Sequence, residues 1–345
     1  VAARGHLNLL KWARLAGYTW NKYTCVEAAN GGHLDCLTWA HENGCELHRY
    51  IYDCNHINCL DYAWDNNCPW DGPVMIYQSA AAGGHIECME WAKSKGFTHL
   101  SPSGACEDAA RYGHLNCLIW ACNDGCPLDH EKICTIAMKH GHLDIVKHTW
   151  DDGGIKNDEM VLLAKDEYID CFKYINENDA FNSNDACNQF ASSGQIKCLQ
   201  YAYEHDYNMD EHTAGIASRN GQFECLKFVH EQDCSLSECR TSDIYNHGNV
   251  DCLRYLHENG CTMLKSTCLW AAMNGHFNCL KYAHENGCLM NFRDICTAAA
   301  EGGHLNCLKY ARNNGCPWDM NKCLTVARET GQQHVINWIA MQQQP

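Results

Sequence analysis

The sequence predicts an all-α fold, an α-solenoid of about thirteen stacked helix-turn-helix repeats in a chain of 345 residues. The first observation is repetition, because the segment Gly-His-Leu-Asp-Cys-Leu-Thr-Trp-Ala at 32–40 has equivalents along the chain, usually 27 to 29 residues apart. The second is a helical spacing of apolar residues within each copy, and the third is a pair of small residues shortly before it. A fixed period of this size is typical of supersecondary units that bury their apolar faces only against each other.

We number each repeat from its zero residue, the residue equivalent to His33. The thirteen zero residues are His6, His33, His56, His85, His114, His142, Tyr168, Gln195, Gln222, Asn249, His276, His304 and Gln332. Positions +1, +3, +4, +6 and usually +7 are apolar, which predicts an amphipathic second helix of about ten residues. Position +3 is Cys in ten repeats, and position +6 is aromatic in all but the repeat of His142, where it is His148. Asn-Gly pairs such as Asn43-Gly44 and Asn314-Gly315 predict the C-terminal caps of this helix.

A shorter first helix is predicted before each zero residue. Small residues recur at positions −5 and −4, as in Ala28-Ala29, Ala109-Ala110 and Ala271-Ala272. Alanine favours a helix and lets two helices approach closely, so we expect this helix to lie against the helices of neighbouring repeats.

The stretch from Thr24 to Cys45, with its Glu-Ala-Ala-Asn-Gly-Gly-His-Leu-Asp-Cys-Leu core, resembles an ankyrin repeat. The variant Cys-Leu-Lys-Tyr-Ala-His-Glu-Asn-Gly-Cys at 279–288 resembles the divergent ankyrin arrays of giant viruses and some algae and protists. The resemblance implies stacked helix pairs and a protein-binding role. The usual period of this family is about 33 residues, and the shortfall here falls where the family carries a β-hairpin finger. We therefore expect shortened or absent fingers.

We expect one repeat array over residues 1–345, without further domains. Its first repeat is truncated at Val1, its repeats near 46–56 and 151–168 are irregular, and its last repeat, 319–345, has the polar residues of a C-terminal cap. His56 lies only eleven positions after Cys45, so the first helix of that repeat should lose about one turn.

The chain has 27 cysteines and 21 histidines, which raises the question of metal ligation or disulfides. The pair His-x-x-Cys occurs at six repeat centres, but its two columns vary independently, whereas a ligand pair should be lost together. Cys is exchanged for Leu, Ile and Val, as a small core residue would be, and His mostly for Gln, Asn and Tyr, which also form hydrogen bonds. We favour core Cys and hydrogen-bonding His over zinc or disulfides. Any disulfide would have to join different columns, for example Cys316 with Cys323.

The aromatic residues at +6 allow two interpretations, a stacking surface for bases or sugars and a packed wall of the solenoid. They share a helix face with the apolar residues at +3 and +4, which favours the packed wall. Four histidines at position +8 fall on the polar side of the helix, and we expect solvent around them: His41, His230, His257 and His284.

For function, the sequence indicates a non-enzymatic scaffold or adaptor that binds proteins. Neither a catalytic constellation nor a cofactor motif can be assembled from the repeats, the net charge of −16 argues against a nucleic-acid partner, and no apolar run has the length of a membrane helix. We expect the partner-binding residues on the first helices, at the varied exposed positions −7, −6, −3 and −2: Arg111, Tyr112, Lys139, His140, Arg219, Asn220, Trp270, Met273, Asn274 and Glu301.

Two alternatives remain from the sequence. The chain begins within a helix, so an apolar end could support head-to-tail self-association into a filament. The other alternative is a metal-binding or disulfide-stapled extracellular solenoid. We favour a cytoplasmic location, with an extracellular one left open because the N-terminus resembles a fragment boundary.

Overall fold

The computed structural model describes residues 1–21, 23–69, 75–97, 102–151, 164–178, 185–242, 247–290 and 294–342. These residues belong to two compact units, Val1–Ala180 and Phe181–Pro345. The single array over 1–345 and the capping role of its last repeat stay predictions. Within each unit the described residues form helices and connecting turns without a strand, as the predicted all-α repeat fold requires.

The first unit begins with a short 3-10 helix, Ala2–Arg4, and contains two more, Arg49–Asp53 and Asp166–Tyr168. Its α-helices are Leu7–Leu15, Tyr23–Asn30, Leu34–Glu42, Ile57–Asp65, Ile76–Gly83, Ile86–Ser94, Pro102–Tyr112, Leu115–Asn123, His130–His140, Leu143–Asp151 and Ile169–Asn178. The α-helices of the second unit are Ala186–Ser193, Ile196–Glu204, Glu211–Arg219, Phe223–Glu231, Val250–Glu258, Lys265–Met273, Phe277–Glu285, Asp294–Glu301, Leu305–Asn313, Met320–Glu329 and Gln333–Met341. Within each unit, first helices pack against the first helices of adjacent repeats and against their own second helix.

A Gly-His turn separates the two helices of a regular repeat. In the repeat of His114, Gly113 has a φ of +82°, and the amide of His114 donates to the carbonyl of Ala109. This left-handed glycine and the bond that follows it form the usual C-terminal cap of a helix. The predicted cap of the second helix is confirmed in the same way, since Gly44 has a φ of +90° and the amide of Cys45 donates to the carbonyl of Ala40.

The predicted core columns are buried. Cys36 and Leu37 at +3 and +4, and Ala28 and Ala29 at −5 and −4, have no exposed surface. Full burial of one leucine side chain stabilises a fold by about 1.5 to 3 kcal/mol, so the column at +4 is a major source of stability in each repeat. Small alanines on the first helices leave room for close helix contacts, as expected.

The connections between repeats carry no hairpin where the structure describes them. The segments 124–129, 259–264 and 314–319 are turns and extended residues that lead directly into the next helix or turn. The predicted loss of the β-hairpin finger is confirmed at these connections.

Irregular repeats occur where the sequence departs from the pattern. The first helix before His56 is reduced to the 3-10 helix Arg49–Asp53, as its shortened sequence predicts. Most of the segment 151–168 lies outside the described residues. Before Asn249, residues 243–246 lie outside the described residues, so the first helix expected there stays a prediction. The buried hydroxyl of Thr241 donates to the carbonyl of Thr262.

Candidate partner-binding surface

Histidine at position zero joins the repeats of His114 and His142 to the repeats before them. Nε2 of His114 donates to the carbonyl of Ala82 over 3.0 Å, and Nε2 of His142 donates to the carbonyl of Arg111 over 3.0 Å. Both carbonyls lie at position −3 of the preceding repeat, in the last turn of its first helix, where carbonyls have no partner within the helix. The zero residue thus satisfies a helix end that belongs to its neighbour.

Hydrogen bonding at position zero confirms the interpretation of the His column as hydrogen-bonding residues. The side chain of His114 forms no capping bond at the start of its own helix. Two repeats with another polar residue at position zero are also bonded to the repeat before them. The side-chain amide of Gln222 donates to the carbonyl of Ser192, and that of Asn249 donates to the carbonyl of Gly221.

Two repeats place the imidazole two residues away from position zero. His247, before Asn249, donates to the carbonyl of Ser218 over 2.9 Å, while Asn249 accepts from the amides that begin its own helix. His334, after Gln332, donates to the carbonyl of Gly303. In both repeats the sequence shows a histidine two residues from a zero residue that is Asn or Gln, and this pattern could have predicted the bond.

Where the following repeat has His at position zero, a glycine before a zero residue lies directly under that imidazole, as at Gly84 and Gly113. A Cβ on Gly84 would lie 2.7 Å from Nδ1 of His114, and one on Gly113 would lie 2.5 Å from Nδ1 of His142. Glycine is therefore required for its left-handed conformation and also for this close approach.

The predicted partner-binding residues lie next to this link. All are exposed except Arg111, which is half-buried. The exposed fractions of the largest are 54% for Tyr112, 37% for Trp270 and 40% for Met273. We call the ten residues named in the sequence analysis the partner surface, and their role in binding stays a proposal.

Several of these side chains are held by local bonds. Nη1 of Arg111 lies 2.6 Å from Oδ1 of Asp108, and Nε of Arg219 donates to the carbonyl of Gly215 over 3.1 Å. The side-chain amides of Asn220 and Asn274 donate to the carbonyls of Ile216 and Trp270, one turn back on their own helices. These contacts reduce the number of conformations at the ends of the first helices.

Positive charge collects on the part of the partner surface in the first unit. Arg111, Lys139 and His140 come from adjacent first helices that pack against each other. Burial lowers the pKa of His140, and the nearby positive groups, His142 and Arg111 first among them, lower it further, so at neutral pH the positive charge here comes from Arg111 and Lys139. This basic area contrasts with the net charge of −16 for the chain.

The four histidines at +8 are bonded to the next repeat, so our expectation of solvent around them is wrong. Nδ1 of each is hydrogen-bonded to the hydroxyl of the tyrosine at +6 in the following repeat, at 2.8 to 3.1 Å: His41 to Tyr62, His230 to Tyr255, His257 to Tyr282 and His284 to Tyr310. The rings meet edge to face, at interplanar angles between 80° and 86°. We call these the His–Tyr pairs.

The same two positions vary together where tyrosine is absent. Lys93 at +8 lies over the ring of Trp120 in the next repeat, and Tyr203 meets the ring of Phe228 edge to face. In these six repeat contacts, a phenol meets a histidine, and a ring without a hydroxyl meets a cation or another ring. This joint variation was visible in the sequence and supports the interpretation of the +6 column as a packed wall.

All 27 cysteines are free thiols, and all but Cys122, Cys234 and Cys261 are buried. The +3 cysteines occupy the core, as their exchange for Leu, Ile and Val predicts. The part of the chain that the structure describes holds no group of three or more His, Cys, Asp and Glu side chains that could bind a metal ion. Among the described helices, none has both the length and the apolar character needed to cross a membrane.

Among the described residues, helix pairs closed by a Gly-His turn form a helical repeat fold without strands that resembles stacked ankyrin repeats. Among solved structures, the crystal structure of the human ASB11 ankyrin repeat domain is similar at 15% sequence identity and a TM-score of 0.40. That similarity covers 46% of this chain and 84% of the ASB11 chain. No family model matches the chain, and no curated protein matches it. The resemblance to giant-virus arrays stays a prediction.

Proposed function

We propose that this chain is a non-enzymatic scaffold that binds protein partners through the partner surface. The observation that supports this is the His142 bond, because the carbonyl it fixes belongs to Arg111, whose side chain lies on that surface. A backbone already held from the neighbouring repeat loses little conformational freedom when a partner binds.

The two units present different chemistry to a partner. In the second unit Trp270 and Met273 lie one turn apart on the helix Lys265–Met273, and exposed aromatic residues are frequent anchors of interfaces. In the first unit Arg111 and Lys139 favour an acidic segment. We propose no nucleic-acid or membrane partner, since a net charge of −16 opposes both anionic surfaces.

A displayed peptide library tests this function with the whole chain as bait. Selected peptides should bind the double variant Trp270→Ala, Met273→Ala at least about tenfold more weakly if this pair is an anchor, as hot-spot truncations do. The matched control is Leu289→Ala, which removes an apolar side chain that is 57% exposed outside the partner surface. Equal loss in variant and control, or none in either, contradicts the proposed anchor.

End-to-end self-association is tested separately by light scattering over a range of chain concentrations. The scaffold proposal expects a constant molecular mass, and a mass that grows with concentration would favour a filament.

A further inference from the structure

Two cysteine positions that are twenty residues apart meet inside single repeats. Positions −8, on the first helix, and +12, just after the second helix, are both Cys in four repeats: Cys25 with Cys45, Cys106 with Cys126, Cys268 with Cys288, and Cys296 with Cys316. In the repeat of His114 the sulfur atoms of Cys106 and Cys126 lie 2.7 Å apart. A disulfide bond is about 2.05 Å long, so a small displacement suffices to form one.

The other three pairs share this arrangement. Sγ of Cys25 lies 3.8 Å from the carbonyl oxygen of Cys45, and Sγ of Cys268 lies 3.9 Å from that of Cys288. The thiols of Cys296 and Cys316 are hydrogen-bonded to each other. The contact is therefore a property of the two positions and recurs in both units.

One of the four cysteine pairs lies beside an open cavity through which a small reagent can reach it. Cys122 and Cys126 line a solvent-open cavity of about 480 Å³, together with Leu128 and His130. Cys126 is 6% exposed, whereas Cys106 is 1% exposed. A small oxidant in this cavity reaches the +12 sulfur before the −8 sulfur.

We propose that these four cysteine pairs are sites of reversible oxidation by a peroxide, and that each pair closes a disulfide within its own repeat. The thiolate at +12 attacks one oxygen of hydrogen peroxide, the O–O bond breaks, and a sulfenic acid and one water form after proton transfer. The sulfur at −8 then attacks the sulfenic sulfur, the S–O bond breaks, and a second water leaves. Two thiols and one hydrogen peroxide become one disulfide and two waters.

The order of reaction follows from which thiol ionises. A hydrogen bond from Cys25 lowers the pKa of Cys45 to about 7, and one from Cys268 does the same for Cys288. Burial instead raises the pKa of Cys126. Because the thiolate is the nucleophile, Cys45 and Cys288 react first at neutral pH and Cys126 reacts later.

The chain contains its own controls. Cys234 occupies +12 in a repeat where position −8 is Ala214, and Cys187 occupies −8 where position +12 is Tyr207. The pairing of Cys316 with Cys323 that we considered from the sequence is not the one in the structure, because Cys316 contacts Cys296 while Cys323 contacts the hydroxyl of Thr297.

Peptide mapping of the folded chain tests the proposal. The protein is treated with hydrogen peroxide, its remaining thiols are blocked with N-ethylmaleimide, and it is digested without reduction for mass spectrometry. We expect four cross-linked peptides, loss of eight of the 27 thiols, labelled Cys187 and Cys234, and recovery of all thiols with dithiothreitol. Cys106→Ala should remove only the Cys106–Cys126 link, and Cys117→Ala, at a buried +3 position of the same repeat, should remove none.

Two results would overturn the proposal. One is that the eight paired thiols stay labelled after peroxide treatment. The other is that cross-links join Cys187, Cys234, Cys122 or Cys323 as readily as the four pairs. Both results are read from the unsubstituted chain, so they hold even where a variant does not fold.

Discussion

Nδ1 of His257 and the hydroxyl of Tyr282 lie 3.1 Å apart, and this half-buried hydrogen bond joins the second helices of two adjacent repeats. Each His–Tyr pair links residues that are 21 to 26 positions apart in sequence. The His–Tyr pairs and the zero residues thus connect neighbouring repeats at two separate places.

Replacement of Tyr282 by Phe should lower stability by about 1 kcal/mol, because the ring contact remains and the hydrogen bond is lost. The midpoint of urea unfolding measures this change. Tyr203→Phe is the matched control in the same unit, since that tyrosine is 41% exposed and contacts Phe228 through its ring. A control that loses as much stability as Tyr282→Phe would show that the hydroxyl bond to His257 contributes nothing.

Gly113→Ala should cost clearly more than Gly125→Ala in the same repeat. Both glycines have a left-handed backbone, with φ of +82° and +93°, so each substitution carries a conformational cost of about 1 to 2 kcal/mol. Only at Gly113 would the added Cβ meet the ring of His142, whereas the space around Gly125 is open. We expect an additional loss of about 1 kcal/mol or more from this overpacking, measured by urea unfolding. Equal losses would mean that the ring moves aside without cost.

His114→Ala should destabilise the first unit by about 1 to 2 kcal/mol, because the carbonyl of Ala82 loses its donor. His114→Gln should restore most of that loss, since Gln222 makes the equivalent bond to Ser192. Hydrogen exchange of amides in the helix Ile76–Gly83 reports the effect where it arises. A glutamine variant that is no more stable than the alanine variant would count against the carbonyl bond as the source.

Alkaline pH should weaken the fold partly through Tyr77. Its hydroxyl donates to the carbonyl of Phe97, and burial, with a smaller effect from Asp124, raises its pKa from about 10 to about 12. Because the folded pKa is the higher one, the stabilisation is complete below pH 10 and is lost as the pH rises through 12. Urea unfolding between pH 9 and pH 12 should show a shallower decline for Tyr77→Phe than for the unsubstituted chain. Parallel declines would contradict this role.

The repeat pattern predicted most of the fold because the determinants are local. Apolar residues at +3, +4 and +7 specify the second helix, paired alanines specify the first, and glycine specifies both caps. The 3-10 helix Arg49–Asp53 replaces a full first helix because only ten residues lie between Cys45 and His56.

The sequence predicted which residues of the partner surface are exposed. It did not predict the hydrogen bonds that hold these residues in place. Tyr112 and Met273 could be placed on the surface from their position in the repeat. The bond from His142 to the backbone of Arg111 joins residues 31 positions apart, and helical periodicity within one repeat carries no information about such a contact. The joint variation of positions +8 and +6 between neighbouring repeats is the signal that reveals the His–Tyr pairs.

The bond between position zero and the carbonyl at −3 has a consequence for how such chains grow. A regular repeat carries the imidazole that reaches backward and also the carbonyl that receives the imidazole of its successor. Duplication of one repeat therefore copies both the donor and the acceptor of this bond. The array can lengthen by gene duplication without any new kind of contact between repeats.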